Sequence, residues 1–151
     1  MKLNKSYNPV LISACLMGEA CRFDGQGKHN SELIELLKGK TLVPVCPEVE
    51  GGLPTPRPPA EIKGNGVFRG NGEDVSEAFK KGASICTEKS ISAQVSQAIL
   101  KSRSPACGCG KIYDGSFSKT LIDGDGVFTQ YLKAAGIDCI SDEQYLKSNL
   151  P

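Results

Sequence analysis

Cys15, Cys46 and Cys107 each close an apolar run of the sequence. Val10-Leu11-Ile12-Ser13-Ala14 leads into Cys15, Lys40-Thr41-Leu42-Val43-Pro44-Val45 leads into Cys46, and the segment from Ala98 to Ala106 leads into Cys107. Runs of this length and composition read as buried strands. In an α/β protein the carboxyl ends of parallel strands share one edge, and sites are built in the loops there. Neighbouring strands lie about 4.8 Å apart. Three strands that each deliver a thiol to that edge can therefore bring three sulfurs around one metal cluster. The chain has seven cysteines and one histidine, so thiolates without imidazoles point to soft-metal chemistry: zinc, Cu(I) or iron–sulfur.

Polar residues stand beside each thiol. Ser13, Glu48 and Ser104 are near neighbours of the three cysteines, and Asp24, Arg57 and Asp114 lie in the adjoining loops. Arg57 could bind a substrate carbonyl or phosphate, or pair with Glu61. Asp24 and Asp114 precede glycines and are turn formers first. Gly51-Gly52, Gly108 and Gly110 allow backbone N–H groups to approach a sulfur or an anion. Cys86 and Cys139 read as buried small apolar residues, the common fate of a free cysteine. His29, just before a helix, reads as a cap or surface residue. The spacing Cys107-Gly108-Cys109 is too tight for a zinc knuckle.

The elements that must position these residues alternate. A strand over Pro9–Ala14 is followed by a loop from Cys15 to Gly25. A helix begins at Asn30 or Ser31 and runs to Lys38, with Leu33, Ile34, Leu36 and Leu37 on its apolar side. Gly39 ends it, and a strand over Thr41–Val45 follows. Gly51 to Gly72 is rich in proline and glycine and reads as a wall or lid, with Val67-Phe68-Arg69 a short edge strand. Asp74 caps a helix whose stripe is Val75, Ala78, Phe79, Gly82, Ala83 and Cys86, weakening by Glu88-Lys89-Ser90. Residues 95–101 make the third strand and 103–124 a long loop. A helix follows from Val127 to Ala135, with Val127, Tyr131, Leu132 and Ala135 inward. A fourth strand (Ile137–Ile140) and a last helix (Asp142 to Lys147) complete the order. Such β-α-β units are right-handed and parallel, which gives an α/β fold with a mostly parallel, doubly wound (Rossmann-like) sheet and long loops at the carboxyl strand ends.

Length and composition narrow the function. A chain of 151 residues is expected to form one domain, 1–151, with a real core. Eighteen Lys and Arg against 17 Asp and Glu leave a net charge of +1, aromatics are 6% and Trp is absent. Such a chain is not expected to hold nucleic acid stably, because phosphate neutralisation needs a basic excess. No apolar run approaches the roughly 20 residues that cross a bilayer, and Met1–Asn8 does not read as a signal peptide. A cytoplasmic location is expected, where seven cysteines are not a disulfide framework.

The motifs agree with a known family. Ser13-Ala14-Cys15-Leu16-Met17-Gly18, then Cys21-Arg22-Phe23-Asp24-Gly25, Val45-Cys46-Pro47-Glu48-Val49-Glu50-Gly51-Gly52-Leu53-Pro54-Thr55-Pro56-Arg57, Ser104-Pro105-Ala106-Cys107-Gly108 and Ile112-Tyr113-Asp114-Gly115-Ser116-Phe117 occur in order over residues 9–141. This pattern resembles the thiouracil desulfidase family. The resemblance implies a [4Fe-4S] cluster held by Cys15, Cys46 and Cys107, with the fourth iron free of protein, and catalytic roles for Glu48 and Ser104. It implies conversion of C=S to C=O on a small thiolated base such as 2-thiouracil, with release of sulfide and no net electron transfer. Cys109 is an additional thiol beside the last ligand, and Cys21 belongs to the family pattern. The rival readings are a non-catalytic metal or cluster module, a desulfurase of thiolated nucleosides or tRNA, and a thiol sensor built on Cys107 and Cys109.

Overall fold

The computed structural model describes residues 8–149, so Met1–Tyr7 of the expected non-signal segment lie outside the described residues. In chain order the elements are β1 (Val10–Ser13), α1 (Ser31–Leu36), β2 (Leu42–Val45), α2 (Pro47–Glu50), β3 (Ala60–Lys63), β4 (Gly66–Arg69), α3 (Ser76–Ser92), β5 (Gln97–Leu100), β6 (Lys111–Tyr113), β7 (Leu121–Asp123), α4 (Val127–Ala134), β8 (Asp138–Ser141) and α5 (Asp142–Asn149). A turn of 3-10 helix, Ala14–Met17, follows β1.

The central sheet has the order β2-β1-β5-β8 and is parallel throughout. Val10 and Ile12 pack with Ile99 against Leu33 of α1, Leu37 just after it and Tyr145 of α5. Leu11, Ala98 and Leu100 pack on the other face against Phe79 and Ala83 of α3 and Phe128 and Leu132 of α4. The period of two along each strand thus feeds two cores, one per face, and the sheet is doubly wound as expected. Pro44 is tolerated within β2 because β2 is an edge strand, where one side of the backbone makes no ladder bonds.

α2 was not legible as a helix. Four residues carry no amphipathic period, and Cys46-Pro47-Glu48 reads as the start of a rigid loop. Packing makes it a helix. A Cβ on Gly82 of α3 would stand 1.8 Å from the Pro47 carbonyl oxygen, and one on Gly51 would stand 2.1 Å from that of Ala78. Bare backbone at both positions lets α2 lie directly on α3.

The two loop regions also hold more order than their composition suggests. The Gly51–Gly72 wall contains the antiparallel hairpin β3–β4, where only Val67–Arg69 was expected as strand. The 103–124 loop contains a second hairpin, β6–β7. Neither joins the main sheet. α3 keeps its helix through Ser92, and Ser90 is fully buried. On α4 the inward residues are Phe128, Thr129 and Leu132, while Tyr131 and Ala135 are exposed. Leu36 of α1 is exposed as well. Among the described residues no helix is long and apolar enough to cross a membrane.

Candidate active site

Cys15 lies in the 3-10 turn directly after β1. Cys46 is extended and precedes α2, whose first residue is Pro47; proline suits that position because its missing N–H is one the helix leaves unpaired. Cys107 is not delivered directly by a strand end. β5 stops at Leu100, and residues 101–107 fold back over the sheet edge. Arg103 takes φ +64° there. Ser102 donates its N–H to Asp142 at the start of α5 (2.8 Å), and Arg103 pairs with Glu143 at 2.8 Å. Ser104 Oγ then accepts the N–H groups of Ala106 (3.1 Å) and Cys107 (3.0 Å), which fixes the turn that presents the thiol.

β1 lies between β2 and β5, so the three thiols come from neighbouring strands. The chain leaves β1 through α1 on one face and enters β5 through α3 on the other, which is the switch point where α/β sheets form a crevice. Cys15, Cys46 and Cys107 all line one cavity of about 500 Å³, together with Ser13, Glu48, Arg57 and Ser104. A shallower hollow of about 540 Å³ at the amino ends of β5 and β8 is lined by Cys139 but by no carboxylate beyond Asp138, and no second thiol faces it. Convergent chemistry is confined to the carboxyl edge.

Glu48 sits in the first turn of α2. Its Oε1 receives Arg57 Nε at 3.0 Å, and Oε2 receives no protein donor among the described residues. Burial raises the Glu48 carboxyl above the usual carboxylate value, and the guanidinium opposes that shift. Arg57 is itself 6% exposed. It also donates Nη1 to Pro54 O (3.1 Å) and Thr55 Oγ1 (3.0 Å), and Nη2 to Cys21 O (2.9 Å). Arg57 is therefore a clamp that joins three segments of the site. The pairing considered with Glu61 does not form; Glu61 accepts backbone N–H groups from Gly115 and Phe117. With four of its N–H groups held by protein oxygens, Arg57 has little left to give a substrate.

The two loop aspartates do not reach the cavity. Asp24 accepts Gln26 N–H (3.1 Å) and faces Arg22 (3.5 Å). Asp114 accepts the N–H and hydroxyl of Ser116, which hold its carboxyl below the ordinary value. Both are turn residues, and short Asx turns explain them fully. Ser13 is buried, and its Oγ accepts Lys101 N–H at 2.9 Å while its hydroxyl also meets the Cys107 thiol. His29 is exposed, and Asn30, whose side chain accepts Leu33 N–H, caps α1.

Cys21 and Lys101 also line the cavity. The Cys46 thiol donates to the Cys21 carbonyl oxygen at 3.7 Å, and the neighbouring Cys21 thiol draws Cys46 below the ordinary thiol value while its own is pushed above it. The Val49 N–H adds to the lowering of Cys46 against the burial that opposes it. Burial pushes Cys15 up to about 11, with Lys101 and Arg22 pulling the other way. Burial also raises the enclosed Cys107 thiol well above its ordinary value, with Ser13 pulling the other way. Burial also lowers the Lys101 ammonium, whose Nζ is 3.3 Å from Ser102 O and Oγ. Lys101 was overlooked in the sequence, although it follows an apolar run at a carboxyl strand end just as the cysteines do. Cys109 does not line the cavity; its thiol is influenced by Lys133 and Asp125.

All seven cysteines are free. No three His, Cys, Asp or Glu side chains among the described residues gather closely enough to hold one metal ion. A cubane asks for something else. Each thiolate binds its own iron, so the sulfurs must face one roomy cavity without converging on a point. Three free soft donors around about 500 Å³, with cations nearby to offset their charge, fit that requirement.

Residues 10–144 match the family description of the 2-thiouracil desulfurases. The chain belongs to that family. Among solved structures this 2-thiouracil desulfurase-family chain is similar to a [4Fe-4S]-dependent thiouracil desulfidase, TudS, at 39% identity and a TM-score of 0.86, over 93% of this chain and 94% of that one. It is also 39% identical to YbbK of Bacillus subtilis (strain 168), an uncharacterized protein, over 145 residues, 89% of this chain and 96% of the relative.

Proposed function

We propose that the protein desulfurises a small thiolated base such as 2-thiouracil, replacing C=S by C=O and releasing sulfide. Water supplies the oxygen and two protons, the C–S bond breaks, and the sulfur leaves as hydrogen sulfide or its anion. No electron is gained or lost overall. Cys15, Cys46 and Cys107 would hold a [4Fe-4S] cluster. When bound, it supplies an iron that lacks a protein ligand and is soft enough to polarise a thiocarbonyl.

The remaining work falls to side chains. Glu48 is the general base: Arg57 holds Oε1, which leaves Oε2 to take a proton from the attacking water. Ser104 has the opposite capacity. Its oxygen already accepts two N–H groups, so its O–H is what it offers as a donor. Lys101 and Arg22 favour the thiolate form of Cys15, and Arg57 that of Cys46. Free thiols throughout the chain suit a reducing compartment, and the cytoplasm is the location we assign. The near-neutral charge favours a small substrate over a nucleic acid.

The observation that carries this reading is the meeting of three free thiols, a half-buried carboxylate and a serine in one cavity. Anaerobic reconstitution tests it. The wild-type chain should take up about four irons and convert 2-thiouracil to uracil with equimolar sulfide. Cys46→Ala should lose both. A wild-type chain that binds one zinc and no iron would support the non-catalytic metal module instead.

A further inference from the structure

We propose that Phe117 is the platform on which the thiolated base stacks, and that Glu61 is the residue that positions it. The proposal rests on the desulfidase reading and names a specificity determinant for it.

Three aromatic rings line the cavity: Phe23, Tyr113 and Phe117. Two are engaged. The Arg22 guanidinium lies 5.6 Å from the Phe23 ring centre. Tyr113 lies beside the Arg103 guanidinium and favours its charged form. Phe117 has no cation or ring partner among the described residues, and it is 38% exposed. A large apolar ring left open on a cavity wall is available to a planar ligand.

The backbone shows that this placement is enforced. Phe117 takes φ +56°, which is unfavourable for a bulky residue, and Lys119 takes φ +61°. Left on its own, the loop would relax. Glu61 on β3 prevents that, because its Oε1 accepts the N–H of Gly115 at 3.0 Å and that of Phe117 at 3.2 Å across more than fifty residues of chain. The loop also lies hard against β3. A Cβ on Gly115 would stand 2.8 Å from the Ile62 carbonyl oxygen, and the glycine takes φ +93°. Gly70, just after β4, lies near the ring: an added Cβ there would stand 3.8 Å from Phe117 Cδ1 and Cε1. The ring is thus held at the cavity wall by a loop that the carboxylate pins. Strained backbone maintained by its surroundings is characteristic of ligand clamps.

Stacking suits this substrate class. A thiolated pyrimidine is flat and polarizable, and it has little area for other apolar contact. Base–aromatic stacking tolerates changes in ring substituents, so the platform would fix the plane of the base and leave the choice of reacting group to the thiol-lined floor.

The test compares variants of the reconstituted protein. Phe117→Leu should raise KM for 2-thiouracil about tenfold with kcat within about twofold, and calorimetric binding of 2-thiouracil should weaken in parallel. Phe117→Tyr should restore both. Glu61→Ala should raise KM similarly with iron content unchanged, and Glu61→Gln, which keeps an acceptor oxygen, should recover most of the loss. Turnover by the wild type with an unaltered KM and affinity in Phe117→Leu would overturn the proposal alone. A wild-type protein that neither binds nor desulfurises 2-thiouracil would overturn the functional reading and this proposal with it.

Discussion

Two groups of cysteines in this chain share a residue type and differ in everything else. Cys15, Cys21, Cys46 and Cys107 line the cavity at the carboxyl edge of the sheet. Cys86, Cys109 and Cys139 do not. Cys86 is fully buried on α3 among Phe79, Ala83 and Val95, and burial pushes its thiol up to about 12. Cys139, on β8, is also driven up to about 12 by burial, with Cys109 raising it further. In the cavity the same burial acts and is opposed. Lys101 and Arg22 act on Cys15, while the Cys21 thiol, the Val49 N–H and Arg57 act on Cys46. A lysine opposes that burial outside the cavity as well, Lys89 at Cys86 and Lys133 at Cys139 and Cys109, so a nearby cation alone does not divide the groups. A buried cysteine surrounded by carbon is a small apolar side chain. The same residue on the wall of a shared cavity, beside other thiols, is placed for the ligand role we propose. Surroundings divide the two groups, and the surroundings are set by position relative to the sheet.

The largest expected difference between the groups is in metal binding. Cys107→Ala should abolish iron uptake on anaerobic reconstitution and reduce sulfide release at least a hundredfold. Cys86→Ala should keep the iron and the activity and lose about 1 kcal/mol in denaturant unfolding, the scale of a small cavity in a packed core. Loss of iron in both would mean that the division drawn here is wrong.

The next largest effect separates holding the cluster from using it. Glu48→Gln keeps the shape and a hydrogen bond to Arg57 but removes the proposed base. Iron content should be unchanged while kcat falls about 10²- to 10⁴-fold. Wild-type kcat in this variant would assign proton transfer elsewhere.

Arg57→Ala should follow, with about 3 kcal/mol lost from the metal-free chain in urea unfolding, because the half-buried Glu48 carboxylate would lose its counter-charge. A loss below about 0.5 kcal/mol would show that the clamp is dispensable. The smallest effect is reserved for Cys109→Ser. Iron, turnover and stability should all stay within about twofold or 0.5 kcal/mol, and survival of activity and colour would remove the sensor reading. A colourless Cys109→Ser protein would place this thiol with the first group.

Much of the fold was legible because its signals are local. The four strands of the main sheet are short apolar runs, and of the stripe Val75, Ala78, Phe79, Gly82, Ala83 and Cys86 at α3 all but the partly covered Ala78 are buried. α2 and the two hairpins were not legible. A four-residue helix is held by contact with α3 at Gly51 and Gly82, and strands of three or four residues gain their pairing only when the chain returns on itself. On α4, Tyr131 and Ala135 fit the apolar period but face water, because Phe128 and Leu132 are the residues that pack into the core.

By itself the sequence determined which residues could do chemistry and the order in which strands would deliver them, since residue type and alternation are properties of the chain. Only the tertiary structure decided which of them meet. Glu48 takes Arg57 and leaves Glu61 free to pin the Phe117 loop, while Asp24 and Asp114 turn back onto their own backbones. Cys21 and Lys101 enter the cavity and Cys109 stays outside it. Those choices depend on distances across the fold, and a carboxylate's partner is set by which cation the packing brings within about 3 Å.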